Sequence, residues 1–273
     1  MARALLEAGH HPDLLYGTSA GALNAAWLAA DPTPEGVKDL TRLWTNIRQR
    51  DVFPFNPWVV LAGLAGLQDH TVSPRPFARW LRSVTPLHRL EDGVLPLTVA
   101  TTDIQSGEEV LLERGPAVPA LLASSAVPGV FPPVRVGERW LMDGSIARDT
   151  LVGPAVDAGA TRVWVLPSVP GVRLARPRSA LDAVLSSSSI MLARQSAEAV
   201  ANFSGRCELF VVPAPLVPGT SPFRLDRSQE LIDAGYRTAS QWLPAAKPVR
   251  APEGSKAAPE PGARDGTFPA AAN

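Results

Sequence analysis

A tight turn between a short apolar strand and a helix of small residues constrains this chain more than any other feature. Residues 14–30 read LLYGTSAGALNAAWLAA, and the turn matches the pattern G-x-S-x-G around Ser19. A strand–turn–helix of this kind tolerates only small residues beside the serine, which accounts for Gly17, Ala20 and Gly21. The following helix would point its free N–H groups and positive dipole end at Ser19. The segment predicts a nucleophile; a glycine-rich turn with Ser19 as helix cap is the alternative.

Strand and helix patterns alternate along the rest of the chain. Apolar strand patterns occupy residues 95–101, 109–112, 134–136, 139–141, 161–166 and 207–212. Helical patterns cover residues 1–8, where Gly9 would end the helix, and residues 179–203. This alternation predicts an α/β fold whose mainly parallel sheet is covered by helices on both faces.

Composition bounds the domain and its partners. The 273 residues carry 26 basic and 26 acidic side chains, so no charge excess favours a nucleic-acid partner. The single cysteine, Cys207, excludes a cysteine-built zinc site and an intrachain disulfide. We expect residues 1–245 to form one domain. Residues 246–273 are rich in alanine, proline and glycine, and we expect them to be a disordered tail.

The longest apolar run, from Trp58 to Leu67, is too short to span a bilayer. Phe53 and Phe55 precede it. We expect a buried core helix here; a surface that faces lipid, or a wall of an acyl pocket, is the alternative.

The base that would activate Ser19 is predicted to be a carboxylate. An α/β-hydrolase supplies its histidine after the serine and the acid in the chain. The four histidines are His10, His11, His70 and His88, so none lies in the last two thirds of the sequence. Asp143 follows a strand pattern and precedes Gly144, which suits a catalytic carboxylate at a strand end. An ordinary Asp-Gly turn is the alternative.

Three separated motifs, in order, resemble the patatin-like phospholipase family. They are GTSAGALNA at 17–25, SSAVPGVFPP at 124–133 and Asp143-Gly144. The resemblance runs from residue 1 to about residue 243. It implies a three-layer α/β/α sandwich and a Ser-Asp dyad that hydrolyses acyl esters of lipids, with Ser19 as nucleophile and Asp143 as its partner. The family usually has glycine or alanine where this chain has Ser145.

The family also implies a glycine-rich oxyanion loop between a first strand and a first helix, and that loop is absent from this sequence. The N–H of Ala20, directly after Ser19, is the one oxyanion donor that can be identified in the sequence. Losing a donor costs about 3–4 kcal/mol in comparable sites. We expect Met1 to be an internal methionine of a longer protein, which makes the domain N-terminally incomplete and the chain as written a poor enzyme. A degenerate relative is the alternative.

These features predict a lipid acyl hydrolase that needs no metal and no organic cofactor. Its substrate would be a phospholipid or another lipid ester. We expect a cytoplasmic protein, with peripheral contact with a membrane left open. The competing hypothesis is a catalytically impaired protein that binds lipid in the same pocket. An acyltransferase would use histidine as its base, and the histidine positions argue against it.

Overall fold

The computed structural model describes residues 1–148, 150–167, 180–215, 217 and 225–249, and side chains of 180–185 are outside the description. Within these residues the strands are β1 (Leu15–Gly17), β2 (Leu97–Asp103), β3 (Glu109–Leu112), β4 (Val134–Val136), β5 (Arg139–Asp143), β6 (Arg162–Val165) and β7 (Glu208–Val211). The α-helices are α1 (Ala2–Glu7), α2 (Ala20–Ala30), α3 (Pro34–Asn46), α4 (Gln49–Val52), α5 (Pro57–Leu64), α6 (Pro74–Val84), α7 (Ala117–Ser124), α8 (Val152–Asp157), α9 (Ala180–Phe203) and α10 (Ser228–Trp242).

Strand β2 is the centre of the main sheet. It pairs with β1 in parallel and with β3 and β5 in antiparallel orientation, and β4 pairs with β5 as a hairpin. Strands β6 and β7 form a second, parallel pair. The predicted α/β sandwich is confirmed, with a sheet that is mixed because β3 and β5 run against β2.

The register of β2 places two strand ends side by side. Strand β3 pairs with residues 99–102 of β2, while β1 reaches Val99 and β5 spans residues 101–103. Since a strand has only two edges, β1 and β5 must share the edge that β3 leaves free. The end of β1 at Gly17 and the end of β5 at Asp143 therefore lie next to each other.

The main core lies between this sheet and helices α2, α6 and α7. Helix α2 is buried along most of its length because its small residues allow close packing on the sheet. Val99, Leu81 and Leu121 are fully buried in the same cluster, together with Trp27. This packing fixes β1 and α2, and hence the turn that joins them.

The first helix and the C-terminal helix pack together. Helix α1 contacts α10, where the Tyr236 hydroxyl donates a hydrogen bond of 2.7 Å to Glu7 and the Arg3 guanidinium lies over the Tyr236 ring. Helix α1 is followed by Gly9, whose φ of 81° suits the glycine predicted to end it.

The expectation that Trp58–Leu67 is a buried core helix is wrong. Helix α5 forms within this segment but contains no buried residue. The large apolar side chains of the segment, and Phe55 before it, face solvent. Among the described residues, no helix combines the length and the apolarity that crossing a bilayer requires.

The segment that follows the expected domain boundary at residue 245 contacts β7. The N–H of Val249 donates a hydrogen bond of 2.7 Å to the carbonyl of Leu209 in β7. This hydrogen bond joins residue 249 to the second sheet, and the division of the chain into a domain and a disordered tail stays a prediction. The remainder of that predicted tail, 250–273, lies outside the described residues.

Candidate active site

Ser19 sits in a strained turn between β1 and α2. Its φ of 52° makes it the one non-glycine residue with positive φ in the described part of the chain. A non-glycine residue in such a conformation costs about 1–3 kcal/mol and persists only where the surroundings enforce it. This backbone conformation places the Ser19 side chain at the N-terminal end of α2. A nucleophile elbow presents its serine in the same position.

Steric crowding requires glycine at one of the two glycine positions of the turn but not at the other. A Cβ atom at Gly17 would lie 2.6 Å from both the Cα of Ala22 and the carbonyl oxygen of Gly21, so a side chain at position 17 would force the turn apart. A Cβ atom at Gly21 would meet nothing within 4 Å. Crowding therefore explains Gly17, and the crowding argument made for Gly21 from the sequence is wrong.

Ser124 holds the strained turn in place. The Ser19 N–H donates a hydrogen bond of 2.9 Å to the Ser124 Oγ, and that hydroxyl donates one of 2.7 Å to the carbonyl of Ala100 in β2. Ser124 is fully buried at the end of α7. One side chain thus connects the nucleophile turn, the central strand and α7.

Replacing Ser124 with alanine should lower the free energy of unfolding by about 1–3 kcal/mol, because it leaves the Ser19 N–H and the Ala100 carbonyl without their partner. Turnover should fall with it. Ser125→Ala is the matched control, since the buried Ser125 Oγ has no partner among the described residues. Urea denaturation of both variants measures the difference, and equal losses would show that the Ser124 hydrogen bonds do not fix the turn.

Asp143 ends β5 and is 2% exposed. Its N–H donates to the carbonyl of Ala126 at 3.1 Å, and its carbonyl accepts from the Thr102 hydroxyl at 2.9 Å. A Cβ atom on the next residue, Gly144, would lie 2.4 Å from the Ala100 carbonyl oxygen and 2.7 Å from the Thr18 Oγ1. Glycine at 144 therefore allows the Asp143 strand end to approach the nucleophile turn.

The Ser19 and Asp143 side chains meet. Gly17 pairs with Val99 and Asp143 pairs with Thr101, so a single residue of β2, Ala100, lies between the two pairing positions. The turn after β1 then places the Ser19 side chain close enough to the Asp143 carboxylate to lower the pKa of that carboxyl. The two residues that the sequence singled out 124 positions apart are brought together in one site.

Two opposing effects set the pKa of the Asp143 carboxyl. Burial raises the pKa of its carboxyl above the ordinary value, because the charged form loses hydration. Hydrogen bonds from Ser145 and Ser19 act in the opposite direction. The Ser145 hydroxyl donates to Asp143 Oδ1 at 2.7 Å and the Ser145 N–H donates to the same oxygen at 3.0 Å. Sequence reasoning noted Ser145 only as a departure from the family pattern.

The first N–H of α2 faces the site without an acceptor. Ala20 begins the helix and is exposed, and no described group accepts a hydrogen bond from its N–H. Together with the positive end of the α2 dipole, this N–H can stabilise an anion beside Ser19.

The histidines lie away from this pair. The His10 ring packs on Trp164 with 4.6 Å between the ring centroids, and His70 Nδ1 lies 2.8 Å from a carboxylate oxygen of Asp69. Within the described part of the chain, no histidine forms a hydrogen bond with Ser19 or Asp143. Among the described residues, the titratable group beside Ser19 is therefore the carboxylate of Asp143 and not an imidazole.

Comparison with known proteins agrees with the motifs. The profile of the patatin-like phospholipase family matches residues 1–156, more than half of the chain. Uncharacterized NTE family proteins of Mycobacterium bovis and of two strains of Mycobacterium tuberculosis are each 37% identical over 71 residues. That match covers 26% of this chain and 20% of each relative, so the chain aligns with only about a fifth of their length.

Proposed function

The chain belongs to the patatin-like phospholipase family, and from this premise we propose that it is a serine hydrolase of lipid acyl esters whose reacting pair is Ser19 and Asp143. Membership of the family supports hydrolysis of lipid esters. The observation that supports the pair is that the paired strands bring the Ser19 side chain beside the buried Asp143 carboxylate, whose pKa it lowers. Nucleophile and base within hydrogen-bond reach are the signature of an activated serine.

In the first half of the reaction, the Ser19 Oγ attacks the carbonyl carbon of the ester while Asp143 accepts the hydroxyl proton. The carbonyl oxygen becomes an oxyanion next to the head of α2, where the free N–H of Ala20 can donate to it. The ester C–O bond then breaks. The leaving alcohol takes the proton from Asp143, and the acyl group stays on Ser19.

In the second half, water replaces the alcohol. Asp143 accepts a proton from the water as its oxygen attacks the acyl carbon, and a second tetrahedral oxyanion forms in the same place. Its collapse breaks the bond to the Ser19 Oγ, which recovers its proton from Asp143. The products are a carboxylic acid, an alcohol and the unchanged enzyme.

The raised pKa of Asp143 suits this role. An ordinary aspartate is a weak base, and a general base works best when its pKa approaches the working pH. Burial moves the pKa of Asp143 in that direction, while the hydrogen bonds from Ser145 keep the carboxylate form accessible.

Ser145→Ala should shift the acid limb of the kcat/KM profile to higher pH. The Ser145 hydroxyl favours ionised Asp143, so its loss raises the pKa of Asp143 further, and activity is lost as pH falls through that pKa. Ser145→Thr keeps a hydroxyl and is the matched control. The profile is measured on a soluble p-nitrophenyl ester. An acid limb that is identical in the wild type and in Ser145→Ala would show that this hydroxyl does not tune the base.

Hydrolysis itself is tested by following release of p-nitrophenol from a short-chain ester and of fatty acid from a phospholipid. The wild-type chain should release both products faster than its Ser19→Ala variant, although slowly, because Ala20 is its one identified oxyanion donor. A wild-type rate no higher than that of Ser19→Ala on both substrates would favour the alternative of a lipid-binding protein without catalysis.

A further inference from the structure

An exposed apolar surface surrounds helix α5. We call Phe55, Trp58, Leu61, Leu64 and Leu67 the α5 surface; their side chains are 85%, 77%, 58%, 77% and 81% exposed. Residues 53–68 contain no charged side chain. Exposed apolar side chains clustered in this way, unlike scattered ones, mark a surface that binds something.

Hydrogen bonds at both ends of α5 fix the helix that carries most of these side chains. The Asn56 side chain caps α5, since its Oδ1 accepts a hydrogen bond of 3.0 Å from the Trp58 N–H. The Gln68 side chain donates to the carbonyls of Val59 at 2.8 Å and His70 at 3.0 Å. Trp58, Leu61 and Leu64 follow one another at intervals of three residues, which places them on one side of the helix. The α5 surface is thus built on a capped and anchored helix.

The same segment is connected to the reacting pair. The N–H groups of Thr71 and Val72 donate to the carbonyls of Gly129 and Val130 at 3.0 Å each. These carbonyls belong to the segment 124–133, which begins at the last residue of α7. That segment supplies Ser124, which binds the Ser19 N–H, and Ala126, whose carbonyl binds the Asp143 N–H. A short hydrogen-bonded path therefore runs from the base of α5 to the site.

The charges that flank the α5 surface in the sequence are mainly basic. Residues 48–84 contain five arginines and two aspartates, although the whole chain has as many acidic as basic residues. Arg75, Arg79 and Arg82 follow at helical spacing on the exposed side of α6, opposite its buried Phe77. None of these three arginines has an ion-pair partner within the described residues. Cationic and apolar groups together complement an anionic lipid surface.

We propose that the α5 surface and the three arginines of α6 dock this protein on an anionic lipid bilayer. The proposal rests in part on the proposed function, since a hydrolase of lipid esters must reach substrate held in a membrane. Apolar side chains of the α5 surface enter the boundary between headgroups and acyl chains, and the arginines pair with lipid phosphates. The proposed binding is peripheral.

Vesicle sedimentation tests the docking separately from catalysis. The full chain carrying Ser19→Ala is used, so that vesicles are not consumed. It should sediment with vesicles of phosphatidylcholine mixed with phosphatidylglycerol and bind phosphatidylcholine alone more weakly. Adding Trp58→Gln, Leu61→Gln and Leu64→Gln together should lower partitioning at least about tenfold. The melting temperature should stay unchanged, because these side chains contact solvent.

Two further variants complete the test. Arg75→Gln, Arg79→Gln and Arg82→Gln together should abolish the preference for anionic vesicles. Val94→Gln with Met191→Gln, which alters exposed apolar side chains elsewhere, should leave binding unchanged. Absence of vesicle binding by the parent, or equal binding by the α5 triple variant, would overturn the proposal. Self-association in ultracentrifugation that only the α5 variant abolishes, with no vesicle binding, would assign the surface to a second copy. Vesicle binding without ester turnover would refute the proposed function alone.

Discussion

Replacing Ser19 with alanine is expected to lower turnover of a p-nitrophenyl ester by at least about 1,000-fold, because alanine cannot form the acyl-enzyme. The fold should survive, since alanine keeps the small volume that the turn requires and the backbone N–H that binds Ser124. Steady-state kinetics and a thermal melt on the same preparation measure both effects. Retained turnover would remove Ser19 from the mechanism.

Ser19→Gly is the informative companion variant. Glycine also lacks the nucleophile, but it adopts the φ of 52° without strain. It should therefore unfold with a free energy about 1 kcal/mol higher than that of Ser19→Ala, while being equally inactive. Equal stability of the two variants would mean that the turn stores no strain at Ser19.

Asp143→Asn is expected to lower kcat/KM at least about 100-fold, because the amide cannot accept the Ser19 proton. Stability should respond in the opposite direction. Because burial raises the pKa of Asp143, ionising its carboxyl costs more free energy in the folded than in the unfolded state. The contribution of Asp143 to the free energy of unfolding is therefore lost as pH rises through its folded-state pKa. The neutral amide removes that cost, so the variant should melt at the same or a higher temperature at neutral pH.

The control for Asp143→Asn is a chain in which all four histidines are replaced by glutamine. It should retain the greater part of its turnover, because no described contact joins a histidine to Ser19 or Asp143. A single histidine substitution that inactivated the enzyme would contradict the carboxylate as base.

Local patterns predicted the strands and turns around the site well. Strand β4 has the predicted bounds Val134–Val136, because a short hairpin about Gly137 fixes its register. Strand β5 was predicted to end at Leu141 but continues to Asp143. Its pairing with β2 carries it two residues further than the apolar pattern, and this pairing is what places Asp143 beside the nucleophile turn.

The α5 segment shows what an apolar pattern cannot predict. Residues 57–64 are apolar all round, which is typical of a core helix, and only the surrounding elements decide whether such a helix is covered. No described element buries α5, so its large side chains remain in solvent. Its exposure is a property of the tertiary arrangement.

One hydrogen-bond partner of the candidate site could not be predicted from the local sequence, and another could. Ser124 lies 105 positions from Ser19, and nothing in the local sequence indicates the hydrogen bond between them. Ser145 is only two residues from Asp143, where an aspartate side chain commonly accepts the N–H two residues on. The sequence Asp143-Gly144-Ser145 therefore carried a local signal for this contact.

Covalent labelling with a fluorophosphonate ester tests the central claim, that Ser19 is a nucleophile activated by Asp143, most directly. The wild-type chain should gain one phosphonate group, located by peptide mass mapping on the peptide that contains Ser19. Labelling should be absent in Ser19→Ala and much slower in Asp143→Asn. A phosphonate group on another residue, equal labelling of Asp143→Asn, or an unlabelled wild-type chain would contradict the account.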